Sequence, residues 1–264
     1  VSLSVINRLL SISAYITIRN IMIRNKERKE THKPIMLDDN MVQIGIDQYD
    51  EPIYMNLAKN PNVLLTGQSS EGKQLFMDNL MANIEIAYGK DAFEYLSYST
   101  SDKTVEDVIK LLEDVLNECD ERKRKLVEYE AINMNDYNAV TSGEKMKPML
   151  VYVEDLSDMY KHQLSDVFEL LIQHIIKSNQ AVGIYLIIST NHIRRTAITG
   201  FVKSIFDTKI TFKVNNEIES MIAIDEKGAE KLKTNQFIFK SYTEGKLIVG
   251  QNEPPINPSE KRFL

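Results

Sequence analysis

A chain of 264 residues that is 43% hydrophobic and 27% charged is ordinary for a soluble globular protein, large enough for one domain with appendages. Its net charge of −6 argues against general nucleic-acid binding, because non-specific affinity for a phosphate backbone comes from Lys and Arg. A single cysteine, Cys119, excludes an intrachain disulfide and suits a reducing cytosol, and with only four His no zinc-type spacing appears. The first residue is Val1 rather than Met, so a piece of a longer polypeptide is expected.

The opening stretch, VSLSVINRLLSISAYITIRNIMIRNKERKE, is apolar-rich, but Arg8 and Arg19 interrupt it, and a central Arg is costly in hydrocarbon. Val5, Leu9, Ile12 and Ile16 form a helical stripe. This predicts an amphipathic helix packed on the domain, with a membrane-surface helix as the alternative. Two short strands are expected near Val42–Ile46 and Ile53–Leu57, joined by DQYDE, and Asn60-Pro61 breaks the chain before the core.

From there strands alternate with helices. NVLLT is a continuous apolar run, as in a parallel strand buried on both faces. A helix follows to Tyr88, closed by Gly89. FEYLSYS reads as the next strand. A long helix over 104–129 starts at Thr104 and Asp107 and carries the stripe Val105, Val108, Leu112, Val115, Cys119, Leu126. AINMNDYNAVTSGEKMK is a candidate mobile insert. MLVYV (149–153) is a buried strand, a helix covers about 163–178, and GIYLIIST (183–190) is a further strand. TKITFKV (208–214) alternates, which predicts a strand nearer an edge. QFIFK and GKLIVGQ form a hairpin through SYTEG, ahead of a loosely held proline-rich tail. The pattern predicts an α/β fold, a mostly parallel sheet with helices on both faces.

Three strand ends carry candidate chemistry. After NVLLT, TGQSSEGKQ matches the phosphate-binding loop G-x-x-x-x-G-K-[ST] except at its last position. The candidate nucleotide-binding residues are Gly67, Gln68, Ser69, Ser70, Glu71, Gly72, Lys73 and Gln74. Backbone N–H groups and a helix N-terminus cradle phosphate in such a loop, and Lys73 adds a point charge. Glu71 sets a carboxylate beside the expected phosphates, and Gln74 stands where a hydroxyl would hold magnesium. The plain alternative is a strand–turn–helix corner that uses glycine for geometry alone. MLVYVED places Glu154 and Asp155 at the end of a buried strand, where a metal-supporting acid and a water-orienting acid are expected, but in reversed order. Helix capping is the alternative role for either. Asn191, in STNHIRR, lies where a phosphate or water is sensed beyond the strand ends. Arg194 and Arg195 are placed to reach a nucleotide or a neighbouring subunit, or are solvated loop residues.

Taken together and in order, NVLLTGQSSEGKQ, ECDERKRKLVEYEAINMNDYN, KPMLVYVEDLSDM, NQAVGIYLIISTNHIRRTAITGFVKSIFDTKITFKV and IDEKGAEKL resemble an FtsK/SpoIIIE-type motor domain over roughly residues 40–250. Arg122, Arg124 and the pair Tyr137-Asn138 occupy the family's places in the middle segment. Within that family the chain looks most like the type VII secretion ATPases of the EssC/EccC kind. The resemblance implies a RecA-like P-loop NTPase fold. It divides the chain into a lead-in at 1–60, an ATPase core at 61–250 and a tail at 251–264. It implies ATP and magnesium as ligands, bound weakly or not at all given the degenerate motifs, with magnesium reached through Gln74 or Glu154. It further implies a place on the cytoplasmic side of the cell membrane as part of a membrane-anchored protein. The implied partners are small helical secreted proteins, neighbouring ATPase domains of the same chain and further copies in an oligomer. An active translocase is the alternative, acting on protein and, against the acidic balance, less readily on DNA.

Overall fold

The computed structural model describes residues 41–99, 103–155, 159–195 and 197–252. The expected N-terminal helix and the proline-rich tail beyond Asn252 lie outside the described residues. In chain order the strands are β1 (Met41–Ile46), β2 (Pro52–Asn56), β3 (Asn62–Thr66), β4 (Glu94–Ser99), β5 (Met149–Glu154), β6 (Ile184–Thr190), β7 (Thr208–Phe212), β8 (Gln236–Ser241) and β9 (Lys246–Gln251). The helices are α1 (Ser70–Tyr88), α2 (Val105–Glu128), α3 (Met134–Val140), α4 (Ser165–Ile176), α5 (Gly200–Ile205) and α6 (Glu217–Ile224).

The nine strands of the described residues join one sheet in the order β2-β1-β9-β8-β7-β3-β6-β5-β4. The block β7-β3-β6-β5-β4 is parallel, and β8, β9, β1 and β2 extend it antiparallel. The hairpin β8–β9 forms as read from the sequence. That β1 and β2 join its outer edge was not legible from local pattern, because their partner lies two hundred residues away.

Strand β3 shows why its run is apolar without alternation. Val63 and Leu65 face a layer with Phe76, Met77, Leu80 and Ile84 of α1, whereas Leu64 faces the layer containing Val108, Leu112 and Cys119 of α2 and Phe168 and Ile172 of α4. Both faces are therefore core. Helix α2 begins with a full capping box, in which the Thr104 side chain accepts from Asp107 N and the Asp107 carboxylate accepts from Thr104 N. Gly89, at φ 97, ends α1.

Strand β7 departs from the edge position its alternation suggested. It lies between β3 and β8, and all five of its residues are buried. Its polar side chains are buried with partners. Thr208 Oγ1 donates to Asn60 Oδ1 at 2.7 Å, Lys209 Nζ to Asp225 Oδ2 at 2.9 Å, and the Thr211 and Thr66 hydroxyls lie 2.8 Å apart. Satisfied polar groups cost little to bury, so a polar face here does not mean a wet one.

The segment expected as a mobile insert is instead packed. Met134, Tyr137 and Met146 are buried, and Asn138 both donates to Met146 O and accepts from Met146 N, each at 2.8 Å. Arg122 is a brace in the same region. It is buried, and it donates to Glu118 at 2.6 Å, Lys147 O at 2.7 Å and Val182 O at 3.1 Å. The residues that carried the middle part of the resemblance thus hold α2 to the approaches of β5 and β6.

Candidate functional site

The parallel pairing brings Thr66, Thr190 and Thr211 level at the carboxyl ends of β3, β6 and β7. The loop Gly67–Ser69 leaves β3 there and turns into α1. Ligands in open α/β sheets bind beyond such ends. Phe76, Phe212 and Phe237 form an aromatic triangle beneath the loop, with centroids 5.6–6.0 Å apart. Each buried ring stabilises the fold by about 2–3 kcal/mol. The loop rests directly on it. Gly67 has φ 147, and a Cβ there would come within 2.6 Å of the Phe212 Cβ; one at Gly72 would meet the Phe212 ring at 3.2 Å. Packing against Phe212 therefore accounts for Gly67, while a side chain at Gly72 would require the Phe212 ring to give by a few tenths of an ångström.

Lys73 lies in the first turn of α1, and its ammonium is drawn under the loop. It is 2% exposed, and its three protons go to Gly67 O at 2.6 Å, Ser69 O at 3.0 Å and Asn191 Oδ1. An ammonium has three donors, so this one is saturated by neutral oxygens. Burial pushes its pKa down to about 8, while the charges of Asp155 and Glu154 pull it back upward. Asn191 is the bridge. Its side-chain amide donates to Asp155 Oδ2 at 3.2 Å, and its backbone N to Asp155 Oδ1 at 3.4 Å. Asp155 is held by a left-handed backbone, φ 52, and its N–H donates to Ser189 Oγ at 3.2 Å. A non-glycine residue in that region is uncommon and concentrates at working sites. The structure thus joins Lys73, Asn191 and Asp155, from three segments far apart in the chain. Neither acid of the pair caps α4, whose N-cap is Leu164 with no side-chain bond.

Other loop residues take up local partners. Ser69 Oγ caps α1 by accepting from Gly72 N at 3.3 Å. Ser70 and Glu71 are exposed in the first turn, where the Glu71 carboxylate favours the positive end of the helix. Gln68 N donates to Lys213 O at 3.1 Å, and its side-chain amide to Glu219 Oε2 at 3.1 Å. Asn252 Nδ2 donates to Gly72 O at 2.9 Å. Sequence reasoning missed Glu219, Asn252 and Phe212. Helices α5 and α6 were also unforeseen, although the spacing from Asn216 to Glu219 is a helix-start signal, and Asn216 does cap α6.

A phosphate entering the loop would meet the α1 N-terminus and the Lys73 ammonium, and would have to take a proton of Lys73 from one of its present oxygens. Magnesium fits less well. Gln74, expected as a metal donor, is exposed, and its amide donates to Asp78 Oδ1 at 2.9 Å on the outside of α1. Glu154 remains as the acid at the end of β5.

Arg194 and Arg195 are both exposed, and Arg194 O accepts from Ala197 N and Ile198 N. Arg195 lines a groove of about 640 Å³ between α5 and α6, together with Ile198, Lys203, Ile218, Met221 and Ile222. Ile218 is 70% exposed there. Among the described residues no helix is long and apolar enough to cross a membrane.

No family model matches the chain. It is similar to the DNA translocase SftA of Bacillus subtilis strain 168, 25% identical over 234 residues, which cover 80% of this chain and 24% of that protein. It is also similar to the DNA translocase FtsK of Chlamydia pneumoniae, 27% identical over 221 residues, which cover 73% of this chain and 27% of that protein. The chain therefore spans about a quarter of the length of these curated relatives. Among solved structures, the pCW3 conjugation coupling protein TcpA with ATPγS superposes with a TM-score of 0.72 at 19% identity, covering 88% of this chain and 70% of that one. The cytoplasmic domain of the type VII secretion ATPase EccC of Thermomonospora curvata gives 0.72 at 13% identity, covering 83% and 29%. ATPases 2 and 3 of the same EccC, in complex with a signal sequence peptide, give 0.63 at 12% identity, covering 85% and 44%. These likenesses establish the fold, a mixed α/β sheet of mostly parallel strands flanked by helices.

Proposed function

We propose that this chain, which has the segment order and fold of an FtsK/SpoIIIE-like motor domain resembling EssC/EccC, is a degenerate ATPase module of a membrane-anchored type VII protein-secretion motor. It holds nucleotide phosphates weakly through Lys73, turns ATP over slowly or not at all, and works on the cytoplasmic face of the membrane beside other ATPase domains. The observation that carries this reading is the divided state of the loop. The cation and its Asn191–Asp155 support are in place, while Gln74 has left the magnesium position for Asp78. The ATPγS held by TcpA supports the nucleotide part, and the signal sequence peptide held by EccC supports a substrate segment as partner. The α5–α6 groove, apolar along Ile198, Ile218 and Met221, is where such a helical segment would seat.

Phosphate release by the purified domain tests the degenerate part. Turnover below about 0.1 per second is expected, against 1–10³ per second for ordinary enzymes. Gln74→Ser, which returns a hydroxyl, is expected to raise it at least about tenfold. Lys73-dependent turnover of wild type in the ordinary range would end the degenerate reading. A second reading, an active DNA translocase, is favoured by the names of the curated relatives. It requires retention of duplex DNA that weakens steeply with salt, and absence of such retention removes it.

A further inference from the structure

Besides the Lys73–Asn191 bond, three tethers among the described residues hold the phosphate loop from outside α1. One is backbone to backbone, Gln68 N to Lys213 O at 3.1 Å beyond the end of β7. One is buried, Asn252 Nδ2 to Gly72 O at 2.9 Å. The third joins two side chains in solvent, Gln68 Nε2 to Glu219 Oε2 at 3.1 Å. Glu219 is itself fixed. Its Oε2 also accepts from Asn215 N at 2.9 Å, its Oε1 accepts from Asn215 Nδ2 at 3.2 Å, and its own N–H donates to the cap Asn216 at 3.0 Å. A carboxylate placed this firmly, with one lone pair turned to the loop, sets where Gln68 can lie.

We propose that Glu219 is a positioning residue for the phosphate loop, acting through Gln68 so that α6 and the loop keep one relative placement; its effect on nucleotide rests on the reading of the loop as a phosphate site. The Gln68–Lys213 tether is backbone to backbone, and the Asn252 tether depends on a side chain outside α6. The Gln68–Glu219 bond is the one that a change on α6 can make or break. The same carboxylate opposes a phosphate in the loop, since like charges at short range repel. Glu219 therefore trades loop order against anion affinity.

The test keeps Glu219 and changes its partner. Gln68→Glu sets two carboxylates face to face; Gln68→Lys keeps a donor toward Glu219 while the bonds from Asn215 stay in place. Amide hydrogen exchange of residues 69–72 is read without nucleotide. Gln68→Glu is expected to speed it about tenfold, Gln68→Ala about threefold, and Gln68→Lys to stay within about threefold of wild type. Exchange within α6 and the melting temperature are expected to stay the same across the set, which a merely structural loss would not allow. Unchanged loop exchange in Gln68→Glu, or exchange in Gln68→Lys as fast as in Gln68→Glu, overturns the proposal. ATP titration adds the second readout. Glu219→Gln, which lightens the negative charge, is expected to bind about threefold tighter than wild type, and weaker binding counts against the proposal. If wild type takes up no ATP, the phosphate-site reading fails, while the exchange data still decide the role of Glu219.

Discussion

Lys73 and Lys209 are equally withdrawn from solvent, each 2% exposed, yet their charges are handled in opposite ways. Lys209, at the start of β7, faces a carboxylate directly. Asp225 accepts from Lys209 at 2.9 Å, from Tyr242 OH at 3.0 Å and from Lys203. Those donors hold the Asp225 carboxyl down at about 2, against the opposing pull of its own desolvation. Lys209 also lies over the Tyr242 ring at 4.9 Å. Lys73, at the carboxyl ends of the strands, is given carbonyl and amide oxygens, and Asn191 stands between it and Asp155. The first arrangement neutralises a charge and serves the fold. The second satisfies the protons but leaves the charge for something else to meet. The contrast makes Lys73, rather than Lys209, the functional candidate of the two.

The largest way to break this contrast is Asp225→Asn. Asparagine tolerates the left-handed backbone at φ 62, so the change isolates the charge. It leaves Lys209 buried without its counter-ion and is expected to cost about 2–3 kcal/mol in urea unfolding. A loss under about 0.5 kcal/mol would mean that Asp225 is not the counter-ion that the fold needs. Next come matched methionine substitutions. Lys73→Met is expected to weaken ATP at least about tenfold while changing stability by less than about 1 kcal/mol, because removing a desolvated charge offsets the lost hydrogen bonds. Lys209→Met is expected to do the reverse, leaving ATP binding unchanged while lowering stability by about 1–2 kcal/mol. The smallest effect is that of pH. The Lys73 pKa of about 8 lies below the ordinary lysine value of 10.5, so between these values the unfolded chain binds the proton that the folded chain has released. Its cost to the fold therefore eases as pH rises through that window. Affinity for an anion moves the other way, falling about twofold from pH 7 to pH 8 and further above. Calorimetry across that range checks both signs.

Much of the frame was legible because its physics is local. NVLLT, MLVYV and GIYLIIST are buried on both faces and read as unbroken apolar runs, and Thr104 with Asp107 and Gly89 marked helix ends by their own capping bonds. Strand β7 was misplaced because Thr208, Lys209 and Thr211 look wet until Asn60, Asp225 and Thr66 arrive from elsewhere in the chain. The site divides the same way. The loop motif, the acids and Asn191 could be named one by one. That Asn191 carries both Lys73 and Asp155, that Gln74 turns to Asp78, and that Glu219 reaches Gln68 across 151 positions depends on tertiary placement. Arg122 and Asn138 show the converse, because residues that marked the family resemblance turn out to brace the fold.

The most direct measurement is calorimetric titration of the domain with ATP, with and without magnesium, on wild type and on Lys73→Ala. The account predicts weak binding that Lys73→Ala abolishes and that magnesium strengthens by less than about tenfold, since Gln74 does not present a metal donor. Binding that survives Lys73→Ala, or no heat from wild type up to about millimolar ATP, would contradict the claim that the unneutralised charge of Lys73 is there to meet phosphate.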